Sequence, residues 1–492
     1  MWSRPFTIPR RYLLPFLSLC LFVIQLGLSI SDLPSIKLMQ DIVCKQVHQI
    51  ETPALLPEEP CRGGLVQHRL NFIIIGMQVA GTASGMTTYF RLTSVLGADL
   101  CAAALVAFPL GLLADRIGRL PVLGASIFSM LLSQGYAMVI CWQSDEIPLE
   151  AIWGICVPLL FGGGRSVAEA MVFAIIADIV PESKRQVLST WFQWVVASVL
   201  GAQLVGPVLS GKLVQSSIWT PLFLSLCLVF AGGLLLIALT PETLKQVQPQ
   251  DHGVTRIDPY TYGLESDGFN FELPRKTSAL KTVKTMFSRP LIWLLPGAVL
   301  TIPLATIQTD IIIRLMPIQF GWRLDRSILI VSLRSLVTLL TLCILLPVIT
   351  YTWTKFTRLS AHFQYSVLAR SSSLLFFAGC LCMMMVTDKA FVLAGLTIAA
   401  LGSGLPTLCR AMLVGMVDEG RAGTLFGMLA VGEILGFLAC ETSMGALFGV
   451  GLRTWMGMPF CLATVAAFLI NLTTWLVPTR LLTADDAQAC TV

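Results

Sequence analysis

Long apolar runs recur from one end of this chain to the other, at 11–31, 70–112, 120–142, 150–177, 187–211, 219–240, 290–313, 327–350, 366–386, 390–415, 422–449 and 456–477. About 20 such residues cross the hydrocarbon core of a bilayer as a helix. A soluble fold has no room to hide this much apolar surface: 55% of the 492 residues are hydrophobic and 12% charged, against about 25% charged in soluble domains. In lipid each segment must satisfy its own backbone polar groups, which selects helices here. The expected fold class is therefore an all-α polytopic membrane protein with twelve transmembrane helices.

Two places test that count. Arg4, Arg10 and Arg11 precede an apolar run from Tyr12 to Ile30, with no small-residue cleavage site after it. It reads as a first span rather than a signal peptide. The run 70–112 is too long for one helix, and a second crossing there would flip every later loop. Cytoplasmic loops are rich in Lys and Arg. One crossing puts the basic N-terminus, Arg116, Arg119, Lys184, Arg185 and the pair Lys355 and Arg358 on one side, with Asp145, Glu146 and Glu150 on the other; Arg314, Arg323 and Arg326 fall on the wrong side. The crossing is then the part leading into Gly111. The Gly-, Ser- and Thr-rich stretch around Gln78–Ser94, with Arg91, reads as an insertion: the extended start of a helix, a local loop or a translated intron. Asp99 shares that ambiguity.

The segment 241–289 is the one long polar stretch within the hydrophobic region and reads as a cytoplasmic linker. It divides the chain into an N-terminal half, 1–240, with an extracytoplasmic loop at 32–68, and a C-terminal half, 290–478, followed by a short cytoplasmic tail, 479–492. An echo supports two halves: an acidic and basic loop, 180–185 and again 417–421, opens a Gly-bearing apolar helix in each.

The net charge of +5 comes with no basic stripe interleaved with aromatics, so no nucleic-acid partner is expected. Most of the 14 cysteines sit in apolar runs, as small hydrophobes. Cys44 and Cys61 are the exception: both lie in the first polar loop, where an oxidising compartment would permit a disulfide and a reducing one free thiols. No metal site, cofactor or nucleotide-binding motif is expected. The four histidines lie in loops or at helix ends with no nucleophile motif near them, which argues against an enzyme.

Gly111-Leu-Leu-Ala-Asp115-Arg116-Ile-Gly118-Arg119 forms a short turn between two apolar runs. It resembles the loop between the second and third spans of the major facilitator superfamily, G-x-L-A-D-R-x-G-R, with Leu120 where the family has a further basic residue. The resemblance implies two pseudo-symmetric six-helix halves, and for Gly111, Asp115, Arg116, Gly118 and Arg119 a latch that governs switching. Asp178, Glu182 and Arg185, around Pro181, resemble the family's acid-Pro-Glu-Arg loop and are candidate charge partners of that latch. Gly201, Gly206, Pro207 and Gly211 resemble a relaxed form of the Gly- and Pro-rich fifth-span pattern associated with exporters. Pro241-Glu242-Thr243 resembles the motif that closes the first half.

A charge at the centre of a membrane helix costs about 2.5–3.5 kcal/mol on insertion scales, so each is a functional candidate. Arg165 and Glu169 follow Gly162-Gly-Gly164 and stand one turn apart, able to pair. Glu433 and Glu441 stand two turns apart, Glu433 being the deeper candidate for a proton carrier. Arg334 and Arg410 are expected to pair with such acids or to bind an anionic substrate. The chain thus resembles fungal-type multidrug and metabolite exporters. The resemblance implies proton-coupled export of a small organic molecule by a monomer in a lipid bilayer, the plasma membrane or else the vacuolar membrane. The alternatives are proton symport of a nutrient and a non-transporting sensor.

Overall fold

A computed structural model describes residues 10–50, 52, 55–95, 118–179, 185–240, 291–356, 361–415 and 422–477. Twelve crossings account for these residues. They are α1 (Arg10–His48), α2 (Gly64–Val95), α3 (Arg119–Trp142), α4 (Cys156–Gly162 and Gly164–Ile179), α5 (Arg185–Leu213) and α6 (Trp219–Leu239) in the first half. The second half holds α7 (Leu291–Val299 and Thr301–Phe320), α8 (from Leu324–Ser327 to Leu346–Phe356), α9 (Ala361–Met384), α10 (Lys389–Leu401 and Leu405–Gly415), α11 (Ala422–Gly451) and α12 (Met458–Leu476). Ten of the described segments are long and apolar enough to cross a membrane, and α2 with the broken α4 complete the set.

The packing repeats with an offset of six. In the first half α1 packs on α5 and α6, and α3 on α4 and α6; in the second, α7 packs on α11 and α12, and α9 on α10 and α12. The halves meet along two seams, α2 against α11 and α5 against α8, which the same offset exchanges. Each half has its own apolar core. One is built around Leu17, Leu123, Ile176 and Val229, the other around Phe376, Phe448 and Phe460.

Breaks in the helices have local causes. Gly163 (φ 72°) and Gly164 (φ 65°) take left-handed backbone and interrupt α4, a conformation open to residues without a Cβ. Residues Gly402–Gly404 form a short 3-10 turn at the corresponding place in α10, just before Pro406. In α8 a π turn at Thr341–Leu345 precedes Pro347. Pro34 inside α1 removes the hydrogen bond owed to the Ile30 carbonyl. Ser210 Oγ of α5 donates to that carbonyl at 2.7 Å. A Cβ on Gly206 would fall 2.6 Å from that of Ser29, so glycine there lets α5 lie against α1.

Three expectations are corrected. Residues 32–48 are helix rather than loop: α1 has 39 residues and a length of about 58 Å, so it runs well past the apolar core. The crossing in 70–112 is α2 itself, with Gln78–Ser94 inside it. Near its start Arg69 pairs with Glu150, and the Ile73 carbonyl accepts from Trp153 Nε1. Tyr136, near the end of α3, donates to the Ala151 carbonyl. The start of α2 and the end of α3 thus share one end of the bundle, so the chain leaves α2 and enters α3 at the other. Arg314 is not a loop charge but sits inside α7, 6% exposed.

Gly111, Asp115, Arg116, Asp99, Glu182, the 180–185 and 417–421 echo, the linker and the tail lie outside the described residues, as do the side chains of Glu169, Asp178 and Arg185.

Candidate functional site

The charges that lie deepest collect where the halves meet. Asp32 comes from α1, Arg165 from α4, Asp310 and Arg314 from α7, Arg334 from α8 and Glu441 from α11. Asp32 lies within electrostatic range of Asp310 and Arg165. Asp310 in turn interacts with Arg314, Arg334 and Glu441. Asp32 and Arg165 both keep accessible surface where the two halves meet. The break at Gly163 and Gly164 is what presents Arg165 there, at the first turn of the second α4 segment.

The remaining members are held by hydrogen bonds. Arg334 Nη1 donates to Thr309 Oγ1 at 2.9 Å. Glu441 accepts from Thr82 Oγ1 of α2 at 3.1 Å, a bond between halves. Arg314 Nη1 donates to Asn71 Oδ1 at 2.8 Å, its Nε donates to the Asp310 carbonyl at 3.3 Å, and its guanidinium lies 5.3 Å from the centre of the Phe448 ring. Asn71 Nδ2 donates onward to the Gly445 carbonyl at 3.0 Å. On the second seam Ser332 donates to the Leu204 carbonyl and Ser335 to Gln203.

A separate pair stands within the second half. Arg410 Nη2 of α10 donates to Glu433 Oε2 of α11 at 2.8 Å and approaches the Ala298 carbonyl of α7 at 3.4 Å. It ties three helices of one half beside the break in α7.

At one end of the bundle Cys44 and Cys61 are bonded, their Cα atoms 5.3 Å apart. The loop that this bond anchors reaches the other half: Arg62 Nη2 donates to the Trp322 carbonyl and Leu324 N to Glu58 Oε2, both at 3.0 Å. Leu33 and Val214 join Ile313, Leu324 and Ile328 in an apolar plug just beneath. The bundle is thus closed at its disulfide end. On that rim Glu150 accepts from its own backbone N–H and from Arg69, which together hold its carboxyl below the usual range.

The structure separates the two acids of α11, giving Glu433 to the second-half pair and Glu441 to the interface. A Cβ on Gly201 would meet the Phe22 ring, and one on Gly211 would meet the Asp325 carbonyl across the seam, each at 3.6 Å. Gly118 (φ 111°) is the turn residue before Arg119 opens α3. Asn471, whose sequence context matches a glycosylation site, accepts from Ser373 inside the bundle at 2.9 Å. Sequence reasoning passed over Asp32, Asp310, Asn71 and Thr82. Asp32 and Asp310 were legible in principle, as acids two residues before a Pro and one turn before an Arg; nothing local marks Asn71 or Thr82.

Similarity to known proteins agrees with this architecture. A family model described as Major Facilitator Superfamily matches residues 70–369. The chain is 25% identical over 480 residues to the MFS efflux pump atnC of Emericella nidulans, covering 94% of this chain and 87% of that protein. It is 27% identical over 319 residues to the efflux pump ustT of Aspergillus flavus, covering 63% and 62%. Among solved structures it superposes on the human organic anion transporter MFSD10 with a TM-score of 0.55 at 15% identity, covering 95% of this chain and 100% of that one. It superposes on a D-xylose-proton symporter with a TM-score of 0.53 at 14% identity, covering 94% and 97%. The chain, a multi-pass membrane protein, belongs to the Major Facilitator Superfamily of transporters.

Proposed function

We propose that this transporter exports a small organic molecule in exchange for protons. The observation that carries the reading is the enclosed group of three acids and three arginines, Asp32, Asp310 and Glu441 with Arg165, Arg314 and Arg334, shared between the two halves. Carboxylates in a cavity that two rocking halves expose alternately can load protons from one side and release them to the other. A substrate with a cationic or hydrogen-bond-donating group competes with protons for the same oxygens, and that competition is what exchange in opposite directions requires. The efflux pumps among its relatives support the direction.

In this reading the disulfide end faces outside, and the ends bearing Arg10, Arg119 and Lys355 face the cytoplasm, with the linker 241–289. Asp115, Arg116 and Arg119 act there as the switching latch, with Asp178, Glu182 and Arg185 as charge partners. The protein works as a monomer in the plasma membrane.

The test measures accumulation of a panel of organic cations and neutral toxins in cells with and without the gene, then counterflow of protons in proteoliposomes under an imposed pH gradient. Lower accumulation with the gene, and proton entry that rises with substrate, are expected. Higher accumulation with the gene would overturn export, and flux indifferent to the gradient would overturn proton exchange.

A further inference from the structure

We propose that Arg314 and Asn71 couple the charge on Asp310 to closure of the seam between α2 and α11 at the disulfide end, so that neutralising Asp310 opens that end. The inference rests on the reading of Asp310 as an acid that changes charge during transport.

The geometry is a relay of two side chains. Arg314 is 6% exposed and is held at the seam by Asn71 Oδ1, at 2.8 Å, and by the Phe448 ring. Asn71, 4% exposed, uses its other end to donate to the Gly445 carbonyl of α11. One amide thus joins α2 to both α7 and α11. The charge that balances Arg314 is Asp310, one turn earlier on α7. While Asp310 is ionised, the guanidinium can stay in this enclosed place. Once Asp310 takes a proton, Arg314 becomes a buried cation without its counter-charge, which is costly. Opening the seam admits water to it and relieves that cost. Linkage then requires the reverse effect: an open disulfide end favours protonation of Asp310. A carrier that loads protons from that side needs such a bias.

Other charged groups face Asp310 from neighbouring helices: Asp32 of α1, Arg334 of α8 and Glu441 of α11. On α2, His68 is a titratable neighbour of the seam, beside Gly449. Arg410 and Glu433 lie toward the other end, against the Ala298 carbonyl.

The experiment is hydrogen exchange of the purified full chain in detergent, without substrate, over residues 66–76 and 441–449 between pH 5.5 and 8. After correction for intrinsic exchange, the wild-type seam is expected to open as pH falls. Asp310→Asn, which mimics the protonated acid, should open it at pH 8 by about tenfold, within the usual range for coupled sites. Adding Asn71→Asp gives Arg314 a new counter-charge across the seam and should restore protection. His68→Gln should leave the wild-type pH response in place. Monodispersity and far-ultraviolet circular dichroism report folding for each variant. If Asp310→Asn misfolds, the wild-type pH response and its loss in Asn71→Ala decide the matter. Seam protection unchanged by Asp310→Asn, or no restoration by Asn71→Asp, would overturn the coupling. Either result leaves export by proton exchange standing, since transport under a pH gradient is measured separately.

Discussion

Two groups of charges sit at membrane depth here, and they are built differently. Arg410 and Glu433 form a close pair at 2.8 Å within one half. The six charges of the group that includes Asp310 are drawn from five helices of both halves, and Asp32 and Arg165 among them keep accessible surface. A hydropathy profile assigns all of these the same cost. What separates them is which parts of the molecule they connect. If the halves rock as units, as the proposed export mechanism requires, the Arg410–Glu433 contact keeps its geometry, and we propose that it acts as a brace. Under that proposal a group shared between halves changes its contacts at every switch, and its proton occupancy changes with them.

The largest effect is expected where that difference is removed. Asp32→Asn keeps the shape of the side chain and takes away its carboxylate from the group between the halves. Exchange driven by a pH gradient should be abolished in proteoliposomes, with the unfolding midpoint in detergent equal to or above that of the wild type. Transport with normal pH dependence would erase the distinction between the two groups. The brace should respond the other way. Arg410→Ala removes the 2.8 Å contact to Glu433 and should cost about 3 kcal/mol, the lower end for a broken enclosed pair because neither side chain is fully buried. Thermal unfolding in detergent measures it. The double replacement Arg410→Met with Glu433→Leu should recover most of the loss, since it removes both charges of the pair and refills their volume with apolar side chains. If Glu433→Gln abolished pH-driven transport while the protein stayed folded, Glu433 would belong with the acids between the halves instead.

That last outcome is the one the sequence reading favoured, and the reason is instructive. Spacing on a helix places Glu433 and Glu441 two turns apart and says nothing of what faces them. Glu433 meets Arg410 from the preceding helix, whereas Glu441 meets Thr82, 359 residues away. The twelve crossings were legible because apolar length is a local property. The sequence reading ran the fourth span through Gly162-Gly-Gly164, where the structure breaks the helix, and the break's partner at Gly402–Gly404 is a repeat signal that residue-by-residue comparison of the two halves passes over. Asp32 was hidden by the assumption that a polar stretch after an apolar run is loop, when α1 continues through Pro34 to His48. Arg314 was hidden by placing the end of α7 at residue 313. Asn71 carries no signal of its own, because its importance comes from Arg314 and Gly445, brought to it by the fold.

The smallest effect belongs to a third kind of charge contact, at the rim. Arg69 Nη2 lies 3.1 Å from Glu150 Oε1, with the two side chains 42% and 36% exposed. It joins α2 to the segment before α4, both within the first half. Water and salt screen it, so Arg69→Ala should cost a few tenths of a kcal/mol, the scale of exposed pairs, and less still at high ionic strength. The sign of its pH dependence follows from the carboxyl. The folded state holds Glu150 below its ordinary value of 4.5, first through its own backbone N–H and then through Arg69. Its contribution is therefore complete above that ordinary value and is lost as pH falls through the lowered one. Unfolding midpoints of wild type and Glu150→Gln should differ slightly at pH 7 and converge once pH has fallen below the lowered value. A difference as large as that of Arg410→Ala would show that this rim contact braces the first half as Arg410 braces the second.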